Sequence, residues 1–256
     1  MSTKSREKRQ IKYMLWNKVS ISNLNNKEQQ NALNEVRILA SIKHKNVISF
    51  KEAFIDEKQE FLWLIIEYAD GSDLYHKIKE KQKNDELFEE EEVWKVLVHT
   101  LRGLQQLHNL KIMHRDIKSA NIFMNKNGTA KLGDMNVSKP TDSQGLNHTQ
   151  TGTPYYASPE VWDDKPYDIK SDIWSLGCVI YEMWALRPPF RAKNFEELYK
   201  KVTKGQYSRI PKVFSNELSS IIKVLLRVNP ESRPNCDRLL SSYLIKEKVR
   251  KFLKFS

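Results

Sequence analysis

Apolar positions change rhythm along the chain. Near the N-terminus they come in short stretches rich in β-branched and aromatic residues, Tyr13–Ile21, Asn46–Ala53 and Leu62–Tyr68, which predict strands. Between the first two, Lys27–Ile42 places Leu33, Val36, Leu39 and Ala40 on one face of a helix. After Tyr68, Ala69-Asp70-Gly71 reads as a hinge, and helical periods take over. Phe88–Asn109 repeats apolar residues at Val93, Val96, Leu97, Leu101 and Leu104; Ser171–Ala185, Phe195–Lys204 and Glu217–Arg227 follow the same rule. Ile245, Val249, Phe252 and Leu253 form a last amphipathic stripe, which suits either the closing helix of the domain or a helix for a partner. The pattern predicts a small sheet-based part joined to a larger helical part, without internal repeats or low-complexity tracts.

Composition adds bounds. A chain of 256 residues buries a substantial core as one domain or two lobes sharing a cleft, and 39% hydrophobic with 29% charged residues is ordinary for a globular protein. The longest apolar run near the start, Phe61 to Ile66, is a core strand and far too short for a membrane span. Two cysteines, Cys178 and Cys236, point to a reducing compartment with no disulfide framework; Cys178 lies in the apolar run Trp174–Ile180 and reads as inert packing. The net charge of +11 gathers at Met1–Lys18 and Lys246–Lys254, where solvated tails and helix faces are its ordinary use. No zinc spacing and no aromatic-interleaved basic patch supports nucleic-acid binding.

Candidate chemistry sits in His114-Arg115-Asp116-Ile117-Lys118-Ser119-Ala120-Asn121. Asp116 is placed to accept the proton of an attacking hydroxyl. Lys118 neutralises phosphoryl oxygens, and Asn121 offers a hard amide oxygen to Mg²⁺. A lone His-Arg-Asp is weak. Its company is specific: Leu132-Gly133-Asp134-Met135-Asn136, then Gly152-Thr153-Pro154 and Ser158-Pro159-Glu160.

With Asn34-Glu35-Val36-Arg37-Ile38-Leu39, Tyr155-Tyr156-Ala157 and Lys170-Ser171-Asp172-Ile173-Trp174-Ser175-Leu176-Gly177-Cys178, these segments resemble the eukaryotic protein kinases, and in finer detail the NIMA-related (NEK) serine/threonine kinases. The likeness runs from about Met14 to the C-terminus. It implies an α+β, bilobal protein-kinase-like fold, with a small β-sheet N-lobe over 1–68 and a large helical C-lobe over 69–256. It implies transfer of the ATP γ-phosphate to protein Ser or Thr, with Asp116, Lys118, Asn121 and Asp134 catalytic and Mg²⁺ on Asn121 and Asp134. Glu35 would pair with a phosphate-gripping strand lysine. Ile66 would be the gatekeeper, with the Glu67 carbonyl and Ala69 amide facing adenine. Asp73 would meet the ribose or cap a helix. Asp172 would tie the catalytic loop, and Glu160 would pair with Arg233. Arg115 and Lys139 would receive a phosphate on the activation segment at Thr149 or Thr151, with Thr153 in the same segment. Asp134-Met135-Asn136 departs from the usual Asp-Phe-Gly, yet Met fills an apolar slot and Asn tolerates left-handed backbone. The resemblance further implies a cytoplasmic protein, with cytoskeleton, cilium or nucleus as alternatives and cytoskeletal or ciliary partners.

The front of the cleft departs from the family. The first glycine of the chain is Gly71, so the N-lobe is expected to lack the Gly-rich hairpin that closes backbone amides over the phosphates. The family spacing puts the strand lysine at Asn17; Lys18 would serve only after a one-residue slip or a bulge. Two readings stand: a Ser/Thr kinase domain that is weak or inactive in this chain for lack of the Gly-rich loop, and a pseudokinase-type, non-catalytic binding module.

Overall fold

The structure, a computed structural model, describes residues 25, 33, 36, 40–56, 61–134, 154–208 and 214–252, together with the backbone of 14–20. The architecture is α+β as expected. Strands β1 (Met14–Ser20), β2 (Phe50–Ile55) and β3 (Phe61–Glu67) form an antiparallel sheet in the order β1-β3-β2. β3 is central, which explains its unbroken apolar run: Leu62 and Leu64 pack on Val36 and Leu33, and Ile65 is buried too. Leu33, Val36, Ala40 and Ser41 are helical, in keeping with the predicted N-terminal helix, whose Leu39 lies outside the described residues.

The expected strand Asn46–Ala53 is corrected. The sheet strand is Phe50–Ile55, and Asn46–Ile48 leaves the sheet to pair with the larger part of the molecule. There Ile48 N–H donates to Leu132 O (2.7 Å), Leu132 N–H to Asn46 O (2.9 Å) and the Asn46 amide to Ala130 O (2.9 Å). Apolar period alone cannot tell which partner an extended segment takes. A Cβ on Gly103 would stand 2.5 Å from Asn46 O, so only glycine lets the long helix below come this close.

The larger part holds α1 (Leu74–Asn84), α2 (Glu90–Asn109), the hairpin β4 (Ile122–Met124) and β5 (Ala130–Leu132), α3 (Pro159–Trp162), α4 (Ile169–Ala185), α5 (Phe195–Thr203), α6 (Asn216–Leu225), α7 (Cys236–Ser241) and α8 (Tyr243–Phe252). In α2, Val93, Val96, Leu97, Leu101 and Leu104 are all within 1% of full burial, and the Glu89–Glu92 capping box sets its start two residues later than the periodicity predicted. α4 is apolar on nearly every side because it runs through the middle of the core. Trp174 stacks on Phe190 at 5.3 Å, and Trp184 on Phe214 at 3.9 Å. Trp174, Trp184 and Phe190 are fully buried, and burial of one such large apolar side chain contributes roughly 1.5–3 kcal/mol. Ile245 is fully buried in α8, with Val249 and Phe252 against the same core, so the last stripe closes the domain; Leu253 lies outside the described residues. No described helix is long and apolar enough to cross a membrane. Cys178 is fully buried, which pushes its thiol pKa well up and leaves it inert.

Candidate active site

Residues 114–121 form a loop that α4 holds from below. The Asp172 carboxylate, 2% exposed, accepts the N–H groups of His114 and Arg115 (3.0 Å each) and a hydrogen bond from His108 Nε2 (2.9 Å). Arg115 has φ +67°, a left-handed conformation that costs an ordinary residue roughly 1–2 kcal/mol, and these bonds hold it there. His114 is buried, its pKa is lowered by that burial, and its Nε2–H donates to Gly133 O (3.1 Å). The loop is thereby tied to the turn that carries Asp134.

On this frame Asp116, Lys118 and Asn121 converge. Lys118 Nζ lies 2.8 Å from Asp116 Oδ2, and the Asn121 amide donates to the same oxygen (3.0 Å) and to Asp116 O (2.8 Å). With its nitrogen so used, Asn121 has its amide oxygen left for a cation. Asp134 is exposed, at φ +52°, and follows Gly133, whose N–H donates to Asn121 O (3.0 Å). No group of three or more His, Cys, Asp or Glu among the described residues is arranged to hold a metal. The oxygens of Asn121 and Asp134 are of the kind that would suit Mg²⁺, which takes few protein ligands and fills its octahedron with phosphate and water. Beside Asp116 lies a hollow of about 180 Å³ walled by Pro154, Ala157, Val161 and Tyr167, open to an incoming hydroxyl.

A second cavity, about 230 Å³, lies between the sheet and β4 and is lined by Ile48, Ile66, Glu67, Tyr68, Ala69, Ser72, Asp73 and Phe123. Its apolar walls suit a flat purine. Ala69 is 8% exposed, and its amide has no backbone partner among the described residues, which leaves a buried donor for a ligand. Gly71 N–H donates to Met124 O (2.8 Å), and a Cβ there would sit 2.7 Å from that oxygen, so the hinge can lie this close to β4 only as glycine. Asp73 is the N-cap of α1: Oδ1 accepts His76 N–H (2.9 Å) and Oδ2 lies 2.7 Å from His76 Nδ1.

Sequence reasoning missed Lys131. Its side chain is 9% exposed, the ammonium pairs with Glu67 at 2.9 Å, and Ser49 N–H donates to the same carboxylate (3.0 Å). Burial would raise the Glu67 pKa, but the Lys131 and Ser49 hydrogen bonds outweigh it and hold the carboxyl below its usual range. A lysine between two core positions, Ala130 and Leu132, was the available hint. Also missed were Ser119, Tyr156 and Glu182. Tyr156 OH donates to Glu182 (2.7 Å) and lies 3.0 Å from Ser119 Oγ, bolting the loop to the 154–158 segment. Glu160 and Arg233 pair as expected, in a bidentate contact of 2.6 and 2.7 Å.

β1 pairs with β3 in one unbroken register, Asn17 opposite Leu64 and Lys18 opposite Trp63, with no bulge to move Lys18 into the row of Leu64. That row of β3 faces the helix through Leu62 and Leu64. Glu35, Lys139, Thr149, Thr151 and Thr153 lie outside the described residues, and Arg115 is exposed.

A protein kinase domain model matches residues 3–245. The chain is 39% identical over 97% of its length to "Probable serine/threonine-protein kinase nek2" of Dictyostelium discoideum, 38% over 92% to serine/threonine-protein kinase Nek1 of Mus musculus, and 35% over 96% to serine/threonine-protein kinase Nek2 of Homo sapiens. It spans 60%, 19% and 57% of those proteins, respectively.

Proposed function

The chain belongs to the protein kinase domain family, as a NEK-like serine/threonine kinase domain, and from that premise we propose that this polypeptide itself binds Mg-ATP and passes its γ-phosphate, slowly, to Ser or Thr hydroxyls of proteins. The lobes divide at Tyr68–Ala69. Adenine enters the hinge cavity, against the Glu67 carbonyl and the Ala69 amide. Asp116 takes the hydroxyl proton, and Lys118, already 2.8 Å from it, steadies the transferring phosphoryl oxygens. Mg²⁺ held by Asn121 and Asp134 would neutralise phosphate charge. The cluster of Asp116, Lys118 and Asn121 on a loop pinned by Asp172 carries this reading. The order Asp116, Lys118, Asn121 favours Ser/Thr over Tyr by the family likeness.

Slowness follows from Asn17. Without a cation there, one preorganised donor to the phosphates is missing, a loss of about 10²–10³ in rate. Phosphate on Thr149 or Thr151, read by Arg115 and Lys139, would raise activity. Cytoplasmic placement and cytoskeletal or ciliary partners belong to the same proposal. The binding-module reading predicts a different result in calorimetry. Wild type should take up Mg-ATP with an affinity that Asp134→Ala weakens at least tenfold. Binding indifferent to Mg²⁺ and to Asp134 would favour the non-catalytic module.

A further inference from the structure

Away from both cavities, an open groove of about 750 Å³ lies between the C-terminal end of α4, the 186–194 connection, α5 and the loop after it. Four cations line it, Arg187, Arg191, Lys193 and Lys201, against one carboxylate, Glu197. That carboxylate is already engaged: Lys201 Nζ sits 2.7 Å from it and also donates to Arg191 O (2.8 Å), and Lys193 N–H reaches its other oxygen (3.2 Å). Among the described residues Arg187 and Arg191 make no ion pair, and the Lys193 ammonium acts on Glu197 only from beyond ion-pair distance. Scattered surface cations are ordinarily just solvated, and Arg187 gains something from the negative end of α4. Three cations lining one groove, two of them without an ion pair among the described residues, are a different arrangement, because a multivalent anion can meet them together.

We propose that this groove docks an acidic segment, bearing carboxylates or phosphates, of the protein being phosphorylated. The partner's identity as a substrate rests on the kinase reading; the binding itself does not. Single-stranded nucleic acid fits poorly. Of the groove's two aromatic rings, Tyr181 is buried, and Tyr207 is half-buried with edge-on contacts to Tyr181 at 5.6 Å and to Phe190 at 5.7 Å, so little ring surface is offered to a base. α4 also sets the spacing. Asp172, which pins the catalytic loop, and Tyr181, on the groove, lie on the same rigid helix about 14 Å apart along its axis. An acidic stretch roughly four or more extended residues from the phosphoacceptor could engage both places.

Fluorescence anisotropy of labelled peptides with the full chain, without nucleotide, tests the docking independently of catalysis. A Glu-rich peptide and a phosphoserine peptide of equal length are titrated at low and moderate salt. Arg187→Ala/Arg191→Ala should weaken the tighter of them about tenfold, with the melting temperature unchanged. Arg187→Lys/Arg191→Lys should keep most of the binding. The control Lys246→Ala/Arg250→Ala, on exposed α8 positions, should change it less than about twofold. Tighter phosphoserine binding assigns the groove to phosphates, and equal or tighter Glu-rich binding assigns it to carboxylates. Equal losses in the groove and control variants would overturn the proposal, as would a single-stranded RNA that binds more tightly through the same arginines.

Discussion

Arg233→Met should unfold this domain far more easily than its place outside the cleft suggests. Arg233 is 1% exposed and uses its guanidinium fully: Nη1 and Nη2 reach the two Glu160 oxygens (2.7 and 2.6 Å), and further bonds go to the carbonyls of Lys170, Val228 and Arg227. The group also lies 5.1 Å from the Trp174 ring. Methionine fills the space but leaves Glu160, 5% exposed, with the Ser171 hydroxyl as its remaining side-chain donor. Stranding one partner of a buried pair costs about 3–5 kcal/mol, which for a domain of this size lowers the midpoint by roughly 6–20 °C. The double variant Arg233→Met/Glu160→Met should recover much of the loss, since a well-packed apolar pair can replace an ion pair. Burial alone would raise the Glu160 pKa, but the Arg233 and Ser171 hydrogen bonds and the guanidinium charge together lower it. The stability it contributes is thus present above its unfolded value and fades as pH falls through the lower folded value. Arg233→Met should lose that acid-side slope. Thermal and urea melts followed by circular dichroism decide the matter. A midpoint within about 2 °C of wild type, at an unchanged urea m-value, would refute the reasoning.

His99 is buried, its Nδ1 accepts Ala130 N–H (3.3 Å), and burial followed by the Arg102 charge lowers its pKa to about 4. The native state should therefore lose on the order of 3 kcal/mol between pH 6.5 and 4, a loss that His99→Gln should largely remove; parallel urea titrations of the two proteins would contradict this. Lys131→Met should cost about 1–3 kcal/mol and raise KM for ATP more than it lowers kcat, because it frees Glu67 at the hinge; adding Glu67→Gln should restore part of the affinity, and an unaltered KM would argue against the link. Thr149→Ala/Thr151→Ala should lower phosphorylation-dependent activity several-fold in a peptide assay. Equal activity in the wild type and the variant after pre-incubation with ATP would count against that segment as the control point.

What the chain disclosed follows from the reach of each signal. The α2 core positions Val93 to Leu104 were legible because helical period is a local property. Asn46–Ile48 was misplaced because extended backbone announces itself without naming its partner, here Leu132. Asp116, Lys118 and Asn121 lie close in sequence, so their spacing carried the chemistry. Glu160 and Arg233, or Lys131 and Glu67, meet only through the fold; the first pair was readable through family likeness and the second was not. Family spacing pointed to Asn17, but whether a slip or bulge intervenes is a matter of the β1–β3 register, since a one-residue shift along a strand exchanges the two faces.

The most direct test is transfer itself. Purified chain is incubated with γ-labelled Mg-ATP and a mixture of Ser, Thr and Tyr peptides, beside Asp116→Ala and Asn17→Lys. The proposed function predicts slow labelling on Ser and Thr alone, absent in Asp116→Ala and raised about 10²-fold or more in Asn17→Lys. Labelling that survives the loss of Asp116, or that falls on tyrosine only, would contradict the account.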